Sequence, residues 1–556
     1  MTRTPLPPLE GRIYRWKRPP APKTRGESLA DLVLMANGLE APPPSEIQPS
    51  DPVSRRAGEI ASFLESLSPG KAFINADYDV DGTSSAAILG GLLKILGWDV
   101  RVFIPDRFED SYGVNHGEIT KAWETEPFDL LIAADCGATE MEWIADFSEK
   151  RSIAALVVDH HKKTPHRPSE VRELNPQNHL EEGIHEYGYC TAVLCALLAE
   201  HVAASRKDIP LSKYKILAGA AALADVTSMR CPAARHYASR FLSSLPGECE
   251  PLDALAEVAK ASRPLESTDA LFKIIPMLNA AGRMRNATVL VALWDCDDYQ
   301  ECLRVANRLW TLNRDRRRLQ EEVVRRAAST WKEGDGFILA WDESWHPGVV
   351  GPAAGQLVER FNVPVFLGGY IPQKNSYSFS GRAPEGVDIH ALLSATAPGL
   401  PLHFGGHKVA LGMRVGKADI ACLQELRGRM QSKVSPPSKP TKSLSGILKL
   451  SSVNYINYES VRTLEPFGSE FPSPVFCVAN VEVSLNPMAN IADSATGVAR
   501  SEDGHSVPIV VFRSPALASI RQAKGHLVGE MLCGRTAAER TVKLLLKDFI
   551  PHKDKD

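Results

Sequence analysis

A chain of 556 residues, 44% hydrophobic and 24% charged, has room for about three or four domains that each bury a core. A formal net charge of −3 excludes a globally basic nucleic-acid binder, so any nucleic-acid contact must come from local patches. Ten scattered cysteines form no Cys-x-x-Cys pair, which argues against a zinc site and for reduced thiols in a cytoplasmic protein. No apolar run approaches the ~18 residues of a membrane span.

Residues 1–50 read as a flexible arm, proline-rich and basic from Pro5 to Pro22, with a short helix near Ser28 to Asn37. Arg55 to Ser66 is amphipathic and leads into an α/β alternation. Strand-like runs at Ala72–Asn75, Asp99–Ile104, Leu130–Ala134 and Ile153–Val158 are separated by helical runs at Ser84–Leu96, Val114–Trp123 and Glu140–Lys150. This pattern predicts a mostly parallel sheet with helices on both faces and ligands beyond the carboxyl ends of the strands.

Acidic and imidazole side chains gather at those ends. The first strand runs into Asp77, Asp79, Asp81 and Gly82, the third into Asp135, and the fourth into Asp159, His160 and His161. A small-residue helix, Ala218 to Ala224, closes on Asp225. An EF-hand calcium loop beginning at Asp77 would need a bidentate Glu at its twelfth position, where Ile88 stands. A solvated acidic turn explains one such cluster but not several strand ends sharing the pattern. Carboxylate and imidazole without cysteine favour Mg²⁺ or Mn²⁺, and so many ligands suit two ions about 3.5–4 Å apart, the arrangement used for phosphoester displacement.

Downstream, Arg283 and Arg285 either hold a phosphate or pair with acids. Asp298 to Thr330 reads as one long charged helix, best explained as a solvated spacer, although Arg314, Arg316, Arg317 and Arg318 are suited to line a basic cleft. A second α/β unit follows, with strands at Gly336–Trp341 and Val363–Leu367, a helix at Val350–Arg360, and Ser376–Arg382 as a strand ending at an anion anchor. Gly405, Gly406 and His407 form a glycine turn. Beyond a Pro/Ser/Lys linker at Val434 to Lys442, short strands at Ile447–Leu450, Val475–Leu485, Val507–Phe512, His526–Leu532 and Thr541–Lys547 suggest an OB-type barrel.

The DYDVDG stretch, Asp135, Asp159-His-His161 and Ala224-Asp225 resemble motifs I to IV of the DHH phosphoesterase superfamily. Pro-Gly-Val-Val-Gly351, Ser380-Gly-Arg382 and Gly405-Gly-His407 resemble the associated DHHA1 domain. Their order, the OB-like tail and Leu464-Glu-Pro-Phe-Gly468 narrow the resemblance to the RecJ family of bacterial single-strand-specific exonucleases.

The resemblance implies an α/β multidomain protein: a parallel-sheet DHH domain at 51–240, a helical connector at 241–330, a DHHA1 domain at 331–433, a linker at 434–443 and an OB-like DNA-binding domain at 444–551. It implies two Mn²⁺ or Mg²⁺ ions held by Asp79, Asp81, Asp135, His160 and Asp225, with Asp135 bridging and Asp77 a further ligand or orienter. His161 would face the scissile phosphate, Asp159 would orient the His pair, and Arg107, Arg283, Ser380, Arg382 and His407 would hold substrate. The expected substrate is single-stranded DNA, cut 5′→3′ to mononucleotides by a monomer working with a helicase and single-strand-binding protein, away from membranes. The alternatives are an oligonucleotide or cyclic-dinucleotide phosphodiesterase and an inactive DNA-binding scaffold. Asn75 departs from the metal-binding histidine common in the superfamily, Ser111 from a glycine before Tyr112, and Gly468-Ser-Glu-Phe-Pro472 from a Gly-x-Gly-Asn-Pro pattern.

Overall fold

The strands Asp99–Phe103, Lys71–Ala76, Leu130–Ala134, Ala154–Val158 and Val171–Leu174 lie side by side in that order, all parallel. The computed structural model describes residues 9–20, 28–48, 50–108, 113–164, 166–182, 188–434, 439–533 and 541–552, and element counts are of these residues. The chain divides into two compact units, one of residues 45–438 and one of residues 1–44 with 439–556.

In the first unit, the strand order is 2-1-3-4-5 by sequence. The chain therefore winds to opposite sides of the first strand, which leaves a crevice beyond the carboxyl ends of Lys71–Ala76 and Leu130–Ala134. Both strands are apolar almost throughout because both faces of the sheet are covered. Helix Val80–Ile95 is buried all round, which its small residues (Thr83, Ser84, Ser85, Ala86, Ala87) permit, and it packs against Thr191–Ala203 and Leu211–Ala224. Phe73, Leu131, Ile144 and Phe147 form the core of the opposite face. The four expected strands differ from the observed ones by at most one residue at either end. The short fifth strand, Val171–Leu174, lacks an apolar run and was not anticipated.

Helix Tyr299–Ala328 departs from the expected solvated spacer. Cys302, Ala306, Leu309, Asn313, Arg316, Val323 and Ala327 form a buried stripe at i+3/i+4 spacing, while Arg314, Arg317 and Arg318 face outward. It packs against helices Ile275–Met284 and Pro347–Phe361. Its expected pair survives weakly, with Glu322 3.9 Å from Arg326, whose other nitrogen meets Asp342. The second sheet of this unit runs Leu402–Gly406, Ala410–Gly416, Ser376–Arg382, Val365–Ile371, Ile338–Asp342, antiparallel except for the last pair.

In the other unit, Phe476–Pro487 pairs with both Ala495–Ser501 and Gln522–Cys533. Ser506–Val511 and Val542–Pro551 complete the circuit into a closed five-stranded barrel of OB type. Val483, Ile509, Leu527, Leu544 and Phe549 fill it. Ala495–Ser501 was not expected as a strand, since Thr496, Gly497 and Arg500 interrupt its apolar pattern.

The amino-terminal arm and the linker need correction. Leu9–Glu10 and Arg15–Lys17 pair with each other, and Thr441–Ser443 pairs parallel with Arg15–Lys17. Residues 21–27 and 435–438 lie outside the described residues. The anchor is Asp548, 0% exposed, whose carboxylate accepts from Ile13 N (3.0 Å), Tyr14 N (2.8 Å) and Trp16 Nε1 (2.8 Å). Trp16 itself is 1% exposed among Leu444, Cys477 and Val528. One buried carboxylate thus ties a segment of mostly polar composition to the barrel. Replacing it would remove the acceptor of the buried Trp16 indole and of two half-buried backbone N–H groups, so Asp548→Ala should cost about 3–5 kcal/mol. Urea unfolding should read this loss, with proteolysis opening first within residues 9–18; unchanged stability would contradict the anchoring role.

Candidate metal centre and anion pocket

Each carboxylate at the crevice is placed by a different local device. Asp77 follows the first strand, its N–H donating to Ala134 O at 3.3 Å. Asp79 caps helix Val80–Ile95 by accepting from Gly82 N at 3.0 Å, which starts that helix earlier than expected. A Cβ at Gly82 would lie 2.4 Å from Asp77 O, so only glycine lets the loop fold back on itself. Asp81 turns inward from the first helical turn, and its two oxygens accept from Thr191 N (2.7 Å) and Ala192 N (2.8 Å) at the start of helix Thr191–Ala203. Asp135 ends its strand with a left-handed φ of 61°, a conformation Asp tolerates, and accepts from Thr191 Oγ1 at 3.1 Å. Asp225 caps the carboxyl end of Leu211–Ala224.

These devices bring the expected ligands together. Asp77, Asp79 and Asp135 form one group, Asp81, His160 and Asp225 a second, and Asp135, His160 and His161 a third, with ligand atoms within 4.8 Å of one another in each. His160 Nε2 lies 3.4 Å from Asp135 Oδ1, 3.7 Å from Asp225 Oδ2 and 3.8 Å from Asp81 Oδ2, yet makes no hydrogen bond. Asp77 Oδ1 is likewise buried without a hydrogen-bond partner. Polar atoms held apart around common centres, too far for hydrogen bonds and too buried for water, fit ligands awaiting hard cations. Asp77 therefore belongs with Asp79 and Asp135 as a prospective ligand rather than as a bystander.

The charges agree with this. Burial, then the Asp79 charge, pushes Asp77 up to about 8. Burial and then neighbouring carboxylates hold Asp135 and Asp225 well above the usual range, and burial raises Asp81 too. Burial lowers His160, keeping a neutral nitrogen able to bind metal. Burial alone would also lower His161, but its bond to Asp159 outweighs that and raises it to about 9.

Asp159 organises the histidines. One oxygen accepts from His160 N (2.7 Å), His161 N (3.2 Å) and His161 Nδ1 (2.8 Å), and the other from Ala138 N (2.9 Å). Gln177, which sequence reasoning passed over, supports the same turn through Nε2 to His160 O at 3.0 Å. Thr191 was also missed; it lies far along the chain at the start of an apolar helix, and only the fold brings it to Asp81 and Asp135.

Beside the acids lies a cluster of arginines. Arg107 stacks over Tyr78, its guanidinium 5.1 Å from the ring centroid, and Tyr78 stands between Asp77 and Asp79. Burial, then the charges of Arg107, Arg316 and Arg382, lowers Arg283 to about 10. Burial and Arg107 lower both Arg382 and His346. Arg382 NH1 donates to Ser380 Oγ at 2.9 Å, at the end of Ser376–Arg382. Such a gathering of like charges is suited to hold an anion. Of the four arginines read as lining a basic cleft, Arg316 is the buried one, while Arg314, Arg317 and Arg318 are exposed; His346, which caps helix Pro347–Phe361, is an addition that the sequence did not single out. Arg285 is exposed, unlike Arg283. His407 is exposed too, beyond strand Leu402–Gly406, at the same end of the sheet as Arg382 but two strands away.

Asn75 holds the loop that follows Arg107, with Nδ2 donating to Gly113 O (3.3 Å) and Oδ1 accepting from Asn115 N (3.2 Å). Ser111 and Tyr112 lie outside the described residues. Because Asp159 belongs to none of the three groups yet holds both histidines, Asp159→Ala should lower Mn²⁺ affinity or metal-dependent activity by about 10–100-fold while leaving the fold intact. Calorimetric Mn²⁺ titration beside circular dichroism checks this; wild-type affinity and activity in the variant would remove Asp159 from the site.

The chain matches three family models in succession: the DHH family, N-terminal domain, over residues 71–224, the DHHA1 domain over 334–434, and the RecJ OB domain over 444–548. It is 26% identical over 432 residues to the single-stranded-DNA-specific exonuclease RecJ of Escherichia coli, covering 73% of this chain and 74% of that protein. To the protein of that name from Thermus thermophilus it is 29% identical over 439 residues, covering 75% and 60%. The crystal structure of RecJ from Thermus thermophilus in complex with Mn²⁺ shares the fold, with a TM-score of 0.76 at 22% identity over 94% of this chain and 75% of that one. A crystal structure of exonuclease RecJ bound to manganese matches with a TM-score of 0.57 and 27% identity, over 68% of this chain and 94% of that one. Three domain models in this order, over an acidic crevice and an arginine pocket, place the chain in the RecJ family of the DHH/DHHA1 phosphoesterase superfamily.

Proposed function

We propose that this chain is a single-stranded-DNA-specific exonuclease that works 5′→3′ and hydrolyses phosphodiester bonds to release 5′-mononucleotides in DNA repair and recombination. One observation carries the reading: the arginine pocket adjoins the acidic crevice, joined to it through Tyr78, so an enzyme that grips a terminal phosphate cuts close to that end.

In this reading Asp77, Asp79 and Asp135 hold one Mn²⁺ or Mg²⁺ ion, and Asp81, His160 and Asp225 hold a second near Asp135. Bound ions of this kind supply Lewis acidity and a water of lowered pKa. Arg107, Arg283, Ser380 and Arg382 bind the 5′ phosphate through charged hydrogen bonds, and His407 meets the strand further along the same sheet edge. His161, kept cationic by Asp159, donates to the phosphoryl oxygen on which charge builds. The OB-type barrel carries the trailing strand. Ten free cysteines support a reducing compartment such as the cytoplasm, and among the described residues no helix is long and apolar enough to cross a membrane. A helicase and a single-strand-binding protein are the partners we propose, for a monomeric enzyme.

Asp135→Ala should abolish Mn²⁺-dependent hydrolysis of a labelled single strand, as chelation should in the wild type, while DNA binding persists; undiminished hydrolysis would remove the metal assignment. Arg382→Ala should raise KM about 10–100-fold for 5′-phosphorylated strands and much less for 5′-hydroxyl strands. An unchanged ratio between the two substrates would place the end pocket elsewhere. Consumption of dinucleotides alone would favour the small-substrate phosphodiesterase.

A further inference from the structure

The residue after Asp225 carries an unusual backbone. Helix Leu211–Ala224 ends with Asp225 N donating to Ala221 O (2.8 Å) and Thr227 N reaching back to Ala222 O (3.1 Å), a Schellman closure. That closure requires a left-handed residue between Asp225 and Thr227, a place usually held by glycine or asparagine. Here it is Val226, with a φ of 59°. A β-branched side chain in this region is a steric outlier, and the cost persists only where something else outweighs it.

Buried Thr227, whose Oγ1 also donates to Ala222 O at 2.7 Å, helps hold the turn, but among the described residues the valine side chain itself gains little packing. Val226 is 66% exposed, whereas Thr227 and Ser228 beside it are buried. Asp225 has its carboxylate 3.7 Å from His160 Nε2, so the exposed valine stands directly beside the acidic crevice. A strained turn thus holds an apolar side chain out into solvent next to a group that acts on substrate.

Resting on the exonuclease reading above, we infer that Val226 is a substrate-contacting residue whose methyl groups pack against the sugar and base next to the bond being cut. The arginines of the pocket, and the acids through the cations they would hold, can engage only the charged backbone of a strand. An apolar contact at this point covers the uncharged part of a nucleotide without reading its identity, as a sequence-tolerant nuclease requires.

The test compares the full-length wild-type chain with Val226→Gly, Val226→Asn and Val226→Ile on a 5′-phosphorylated single strand with Mn²⁺, alongside thermal unfolding. Glycine and asparagine relieve the strain and remove the apolar surface, so both should raise the unfolding midpoint by about 1–3 °C and raise KM roughly 5–10-fold, with the effect on KM rather than kcat. Isoleucine keeps both features, so KM should return towards the wild-type value without the gain in midpoint. Equal KM for Val226→Gly and wild type would overturn the inference alone, as would a lowered midpoint in the glycine variant. A wild-type chain that leaves the strand intact would overturn the exonuclease reading and this contact with it.

Discussion

The constraint that governs this structure is the repulsion among carboxylates crowded beyond one edge of a buried sheet. Asp77, Asp81 and Asp135 are almost wholly inaccessible, and Asp79 and Asp225 complete the groups around them. Burial raises the pKa of Asp77, Asp81, Asp135 and Asp225, and neighbouring carboxylates raise it further. The surrounding fold addresses the problem only in part. The start of helix Thr191–Ala203 directs two N–H groups and its positive end at Asp81, and Thr191 Oγ1 reaches Asp135. What is left, including an unbonded Asp77 oxygen and His160 Nε2, is suited to cations.

The arginine pocket presents the complementary problem. Burial and the neighbouring arginine charges lower Arg283 and Arg382, as burial and neighbouring acids raise Asp135 and Asp225. Tyr78 lies between the two sets, covered on one face by Arg107 and flanked in sequence by two prospective ligands. Cations relieve the first cluster and an anion the second. A strand whose terminal phosphate enters the pocket would relieve the second, and its next phosphate could approach the first only through cations held there. Substrate recognition thus follows from charges the fold has placed but not neutralised.

Much of this was legible in the residues. The four main strands and the clustering of acids at their ends follow from period and length, because buried parallel strands are short apolar runs and ligands must follow them. The 2-1-3-4-5 order, which makes the ends of the first and third strands adjacent, is a property of winding that local pattern does not carry. Thr191, Gln177 and His346 were not visible for the same reason, since each acts through a long-range approach and none breaks a local rule. The arm at residues 9–18 was misread because its composition is that of a linker, and one buried acceptor 532 residues from Trp16 overrides that composition. Val226 could not have been singled out at all, because the sequence does not display a backbone angle.

The central claim is that Asp77, Asp79, Asp81, Asp135, His160 and Asp225 would together hold two cations in the acidic crevice. Anomalous diffraction at the manganese edge, from crystals grown with Mn²⁺, tests it most directly. The account predicts two anomalous peaks, one among Asp77, Asp79 and Asp135 and one among Asp81, His160 and Asp225. Manganese absent from the crevice, or bound only outside these six residues, would contradict it.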